Sequence, residues 1–120
     1  MLALDNADKI QGSTTTAAKV DYVIHGVVGT TLTQLADGQL ASSIGDLYTS
    51  GADATVIASM TFVNTNSSTE AVNLYLLPSG GTARRLVPQN MDLAADYMLM
   101  FDGNKMFVID DTGQIMSRSI

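Results

Sequence analysis

The chain has 120 residues, with six Lys plus Arg against twelve Asp plus Glu and a formal charge of −6. That length fits one domain burying about two-thirds of the surface its unfolded form would expose, and the shortage of cations argues against nucleic acid or an anionic membrane surface as partner. Cysteine is absent, which excludes disulfides and thiolate metal sites, and the acids are nearly all Asp amid abundant Thr, Ser, Gly and Val, a balance that points to an all-β fold.

Met1 to Asp8 (MLALDNAD) has neither a basic start nor a long apolar centre and is not expected to be a signal peptide. No apolar run reaches the roughly 18 residues of a membrane helix, so a soluble protein is expected. Residues 1–19 carry few apolar groups and a Ser/Thr/Ala tract at Ser13 to Ala18. They read as an extended N-terminal arm, either a frayed terminus or an extension that orders against a neighbouring subunit. The sandwich domain is then 20–120. Val20 to Val28 (VDYVIHGVV) sets Val20, Tyr22 and Ile24 against Asp21, Val23 and His25, a strand bounded by Gly26 and Gly29. From Thr30 to Tyr48 the signals conflict: Leu40, Ile44, Leu47 and Tyr48 suit one face of a short helix, while Asp37-Gly38 and Gly45 interrupt it. The alternatives are a helical turn or an irregular connection into a short strand near Leu47 to Thr49, closed by Ser50-Gly51.

Asp53 to Leu77 is the best-patterned stretch. Val56, Ala58, Met60 and Phe62 alternate with residues that, Ile57 apart, are polar. Thr65 to Glu70 (TNSSTE) is a polar turn, and Val72, Leu74 and Leu76 alternate again. Together they read as a central hairpin. Pro78-Ser79-Gly80-Gly81 is a turn, and Thr82 to Val87 resumes an extended run ended by Pro88. Tyr97 to Phe101 (YMLMF) is apolar on both faces, so its outer side is either covered within the fold or carries a subunit contact. Asp102-Gly103 predicts a tight hairpin to Lys105–Ile109, and after the Asp111-Thr112-Gly113 turn Gln114 to Ile120 can form a last strand. Seven or eight closely spaced strands make a single-domain antiparallel β-sandwich, jelly-roll-like, with an N-terminal arm.

The chemistry-bearing residues are sparse. His25 is the single histidine, no Gly-x-Ser-x-Gly elbow accompanies it, and no nucleophile, base and orienting group can be assembled around it. A non-enzyme is expected. Asp92, Asp96, Asp102, Asp110 and Asp111 do not have the spacing of a calcium loop and suit solvated turns better, so neither metal nor cofactor is expected. Asn66-Ser67-Ser68 fits the glycosylation acceptor pattern, and without a signal peptide it reads as a chance match. Four of the seven methionines lie between Met91 and Met106; they read as core filler, the alternative being a soft binding surface. Arg84 and Arg85, adjacent on a strand, must face opposite ways, and one of them either meets an acid across an interface or remains a solvated edge charge. With Met98 and Met100 on the two-faced strand, they are the candidate interface residues.

The run from Leu47 to Ser117 resembles small virion proteins of tailed bacteriophages. The resemblance is carried by Leu47-Tyr48-Thr49, by VIASMTFVNTNSS (Val56 to Ser68), by VNLYLLPSGGTARRLVP (Val72 to Pro88) and by the hairpin FDGNKMFVID (Phe101 to Asp110). It implies a non-enzymatic β-sandwich part of the particle, assembled in the host cytoplasm. The leading expectation is a capsid decoration (cement) protein, a homo-oligomer with a trimer among the candidates, whose partner is the major capsid protein or another virion component. The alternative is a neck, tail or fibre component, including a carbohydrate-binding module that contacts the host surface.

Overall fold

A computed structural model describes residues 1–116. Eleven strands occur among them: β1 (Leu2–Leu4), β2 (Lys9–Thr14), β3 (Val20–Val28), β4 (Thr31–Gln39), β5 (Gly45–Thr49), β6 (Thr55–Asn64), β7 (Glu70–Leu77), β8 (Arg84–Arg85), β9 (Met91–Leu93), β10 (Met98–Phe101) and β11 (Met106–Ile109). They form two antiparallel sheets packed face to face. The larger runs β11-β10-β6-β3-β4 with β1 also on β6; the smaller runs β5-β2-β7-β8 with β9 on β7. The core between them is built from both: Ile24, Ile57, Phe62 and Leu99 from one side meet Ile10, Val72, Leu74 and Leu93 from the other, all at most 1% exposed. The all-β sandwich expected from the alternation is therefore the observed fold.

Several local expectations are corrected. The segment 1–19 is not an arm. β1 pairs along β6 and β2 is an internal strand between β5 and β7. Its polar look misled because Gly12 is small by necessity: an added Cβ would sit 3.0 Å from Leu74 Cδ2 and 3.1 Å from Leu47 Cδ1, so neighbouring leucines supply the apolar bulk. Thr14 is buried too, its hydroxyl donating to Glu70.

Nor do β6 and β7 form a hairpin. Each is internal to a different sheet, and the Thr65–Thr69 link crosses between the layers. Asn64, fully buried, holds that crossing: its Nδ2 donates to Ser68 O at 2.9 Å and Leu93 O at 2.8 Å, while its Oδ1 accepts from Asn66 N at 2.8 Å. Asn66 in turn donates to Glu70, so the residue of the glycosylation pattern is engaged in the crossing.

The region 30–48 is neither a helical turn nor wholly irregular. Thr31–Gln39 is a nine-residue strand, and the short strand expected near Leu47 extends over Gly45–Thr49. Around Asp102-Gly103 the hairpin is present, but Phe101 pairs with Met106, so the loop has four residues rather than two. Gly103 alone takes positive φ there (92°), and Asp102 Oδ1 accepts the N–H groups of Asn104 and Lys105. Of the predicted last strand, an Ile109–Ile115 bridge is present; Ser117 to Ile120 lie outside the described residues.

A crease crosses the larger sheet. Gly26 pairs with Ile57 and His25 with Ser59, which leaves Ala58 as an extra residue on β6. On β4, Leu35 is the extra residue between Gln34 and Ala36. Such bulges reset the alternation: Thr55 and Ile57 are buried before the crease, Met60, Phe62 and Asn64 after it. The even positions from Val56 to Phe62 therefore do not share one face. Gly26 permits the crease, because a Cβ there would lie 2.2 Å from Val56 O and 2.7 Å from Leu35 Cδ1.

Candidate functional site

Side chains opposite one another on paired strands point to the same side of a sheet, so the register defines what each outer face carries. On the larger sheet Met98 faces Ile109 and Val63, and Val63 faces Asp21. One step along, Met100 faces Phe107 and Thr61, and Thr61 faces Val23. Past the crease, Val56 and Val27 lead to Leu32. Apart from Thr61 and Ser59, the half-buried residues at the centre are apolar, and two large groups stand well out of the surface, Val23 at 36% and Leu32 at 76% exposure. The β4 side carries Asp21 and Asp37, the former accepting from Gln39 Nε2 at 2.9 Å. This is a greasy face with an acidic margin.

The smaller sheet is the opposite in character. Lys9 Nζ reaches Asp46 Oδ2 at 2.8 Å, and Gln11 Nε2 reaches Asp46 Oδ1 at 2.7 Å. These bonds, the lysine's first, hold the Asp46 carboxyl below its usual value. Asn73 exchanges two bonds with Asn90, and Arg85, which pairs opposite Tyr75, donates to Gln89. The smaller sheet's outer face is laced with side-chain hydrogen bonds, whereas on the larger sheet's they are confined to the margin at Asp21.

The four candidate interface residues therefore divide. Met98 and Met100 lie together on the greasy face, whereas Arg84 and Arg85 are exposed on the smaller sheet and share no patch with them. Adjacent arginines do face opposite ways, since Arg85 pairs with Tyr75 and Arg84 with Leu76. Val23, Val63, Phe107 and Ile109 complete the surface around the methionines; only the strand register could reveal them.

The methionines divide: Met60 belongs to the core and Met91 and Met106 pack against it, as core filler would, whereas Met98 and Met100 lie on the greasy outer face. Met60 is buried at 1%, but Met91, Met98, Met100 and Met106 are half-buried. Met91 and Met106, with Met116, Tyr97 and Val108, line a cleft of about 440 Å³ where the two sheets part between β9 and β11, with Asp92 at its mouth.

His25 is exposed on β3, beside a shallow depression at the crease lined by Leu32, Gln34 and Ser59. The turn aspartates serve their own loops. Asp110 Oδ1 accepts from the Thr112 hydroxyl and from the N–H groups of Thr112 and Gln114, and Asp102 accepts from Lys105 and Asn104 N–H; these bonds hold both carboxyls below the usual range. Among the described residues no group of three or more His, Cys, Asp or Glu is placed to hold a metal ion, and every buried side-chain nitrogen or oxygen has a hydrogen-bond partner. Among the same residues no helix is long and apolar enough to cross a membrane.

Comparisons with protein-family models, with curated proteins and with solved structures each find no match.

Proposed function

We propose that this chain is a non-enzymatic structural protein of a tailed-phage virion, a capsid decoration protein that binds the assembled head as a homo-oligomer and stabilises it. The observation that carries the reading is the asymmetry of the two outer faces: Met98, Met100, Val63, Phe107 and Ile109 form a continuous apolar surface that a partner would cover. Half-buried methionines suit such a role because their flexible, polarizable side chains adapt to a partner's relief. The acidic margin at Asp21 and Asp37 favours a partner surface with an apolar centre and basic surroundings. The resemblance of Leu47 to Ser117 to small virion proteins supplies the kind of assembly. Stabilisation follows from mass action, since a protein that binds the assembled shell and not the free subunit shifts the equilibrium toward the shell.

The test mixes purified protein with undecorated heads. Co-sedimentation and a higher shell melting temperature are expected; absence of both overturns the reading. A second reading, a carbohydrate-binding tail component, draws on the polar face, where Tyr75 stands opposite Gln11 and Arg85. Saturable binding in a glycan titration, lost in Tyr75→Ala and retained in Met100→Gln, would favour it instead.

A further inference from the structure

We propose that β4 is a self-association edge, along which two copies of the chain pair antiparallel about a two-fold axis between Leu35 and Ala36, joining their larger sheets into one. The contact is separate from the greasy outer face and does not depend on the virion reading.

β4 stands apart from the other sheet margins. Proteins usually blunt an open edge by keeping it short, charging it or covering it. β8 has two residues, both Arg; β9 has three, with an Asp at its centre. β11 has four and is covered by the Ile109–Ile115 bridge and by Met116 N–H donating to Val108 O at 2.8 Å. β5 has five and carries Asp46. β4 runs for nine residues with no Lys, Arg or Pro; Asp37 and the Leu35 bulge are its only blunting features, and among the described residues no strand pairs with its free side.

The occupant is set by symmetry. A two-fold contact must be self-complementary, and residues that face each other across it must point to the same side of the joined sheet. The register with β3 and β6 puts Leu32, Gln34, Asp37 and Gln39 on the outer side, and Thr33, Ala36 and Gly38 on the inner side with Leu35, whose Cδ1 lies against the Gly26 position. The bulge makes this sequence of sides read the same from either end. With the axis between Leu35 and Ala36, Leu32 faces Gln39, Thr33 faces Gly38 and Gln34 faces Asp37 of the other copy. Every pair from Leu32 to Gln39 then matches in side. Asp37, the one charge on β4, meets an amide that can donate to it rather than another carboxylate. A pairing of eight residues, Leu32 to Gln39, buries less than the roughly 1,200 Å² typical of stable complexes, so the dimer is weak and concentration-dependent.

The register gives the test a sign. Gln34 is exposed, so Gln34→Lys and Gln34→Glu leave the monomer intact. In the dimer, however, the ammonium introduced by Gln34→Lys would attract Asp37 of the other copy, and the carboxylate introduced by Gln34→Glu would repel it. Sedimentation equilibrium on the whole chain up to several hundred micromolar should show a monomer–dimer equilibrium, tightened several-fold by Gln34→Lys and loosened by Gln34→Glu. The same charge changes at exposed Thr82, on the turn of the smaller sheet, should shift it much less. Because the chain has no cysteine, oxidation of an equimolar mixture of Gln34→Cys and Asp37→Cys should give mainly the mixed disulfide dimer, with Thr49→Cys on β5 as control. A monomer at all concentrations, equal responses at positions 34 and 82, or a mixed disulfide no more abundant than the control's would each overturn the proposal.

Discussion

Glu70, the one glutamate in the chain, is 1% exposed and is bonded to neutral donors alone among the described residues. Its Oε1 accepts from Thr16 N–H at 2.8 Å and from the Thr14 hydroxyl at 3.1 Å, and its Oε2 accepts from Asn66 Nδ2 at 3.1 Å. One carboxylate thus ties the end of β2, the link to β3 and the crossing from β6 to the start of β7. Burial pushes its pKa up, but the Thr16, Asn66 and Thr14 donors outweigh that and hold the group below its ordinary value. Gln at this position keeps the shape and one acceptor. Two bonds then lose their charge assistance, at about 1 kcal/mol each, and an NH₂ group faces the Asn66 donor, at about 1 kcal/mol more. Relief from burying a charge offsets about 1 kcal/mol. The expected net loss is about 2 kcal/mol at pH 7, and at roughly 3–6 °C per kcal/mol for a domain of this size the melting temperature falls by roughly 6–12 °C. Because the folded pKa is depressed, the wild-type advantage is complete above the ordinary value of 4.5 and fades as pH falls through the folded one. Urea unfolding of both proteins from pH 7 to pH 3 checks this. Equal stability at pH 7, or a difference that persists unchanged into acid, would refute the assignment of the bonds to an ionised carboxylate.

Gly26→Ala places a methyl 2.2 Å from a backbone carbonyl that cannot retreat without breaking the β3–β6 ladder; a loss of at least about 3 kcal/mol, or failure to fold, is expected by thermal melting. Asn64→Ala removes one buried and two part-buried bonds and leaves at least Leu93 O unsatisfied, which should cost about 2–4 kcal/mol in a chemical unfolding curve. The pair Met98→Gln and Met100→Gln, on a half-buried outer face, should change stability by less than about 1.5 kcal/mol while abolishing co-sedimentation with undecorated heads.

How far the sequence reveals this molecule depends on where its alternation stays regular. β3 is plain because Val20, Tyr22 and Ile24 are buried in unbroken alternation. β6 keeps its length but not its phase, since the extra residue at Ala58 depends on Gly26 and the opposing strand, which no local pattern encodes. β2 is hidden because Gly12 is buried against leucines from other strands and Thr14 against Glu70, so neither polar-looking position advertises its burial. Alternation also says nothing about which sheet a strand joins, so two well-patterned neighbours read as a hairpin when Asn64 sends them to different layers. For the candidate surface, the two-faced YMLMF run exposes Met98 and Met100 from the sequence alone. Val23 and Ile109 are far apart in the chain, and only long-range register brings them to the same face.

Methionine oxidation followed by peptide mass spectrometry measures the central claim directly, because the chain carries reporters both on the greasy face and away from it. Free protein and protein bound to heads are exposed to the same peroxide dose. If that face is the docking surface, Met98 and Met100 oxidise several-fold more slowly when bound, while Met91, on β9 of the smaller sheet, keeps its rate. Unchanged rates at Met98 and Met100 in the bound protein would contradict it.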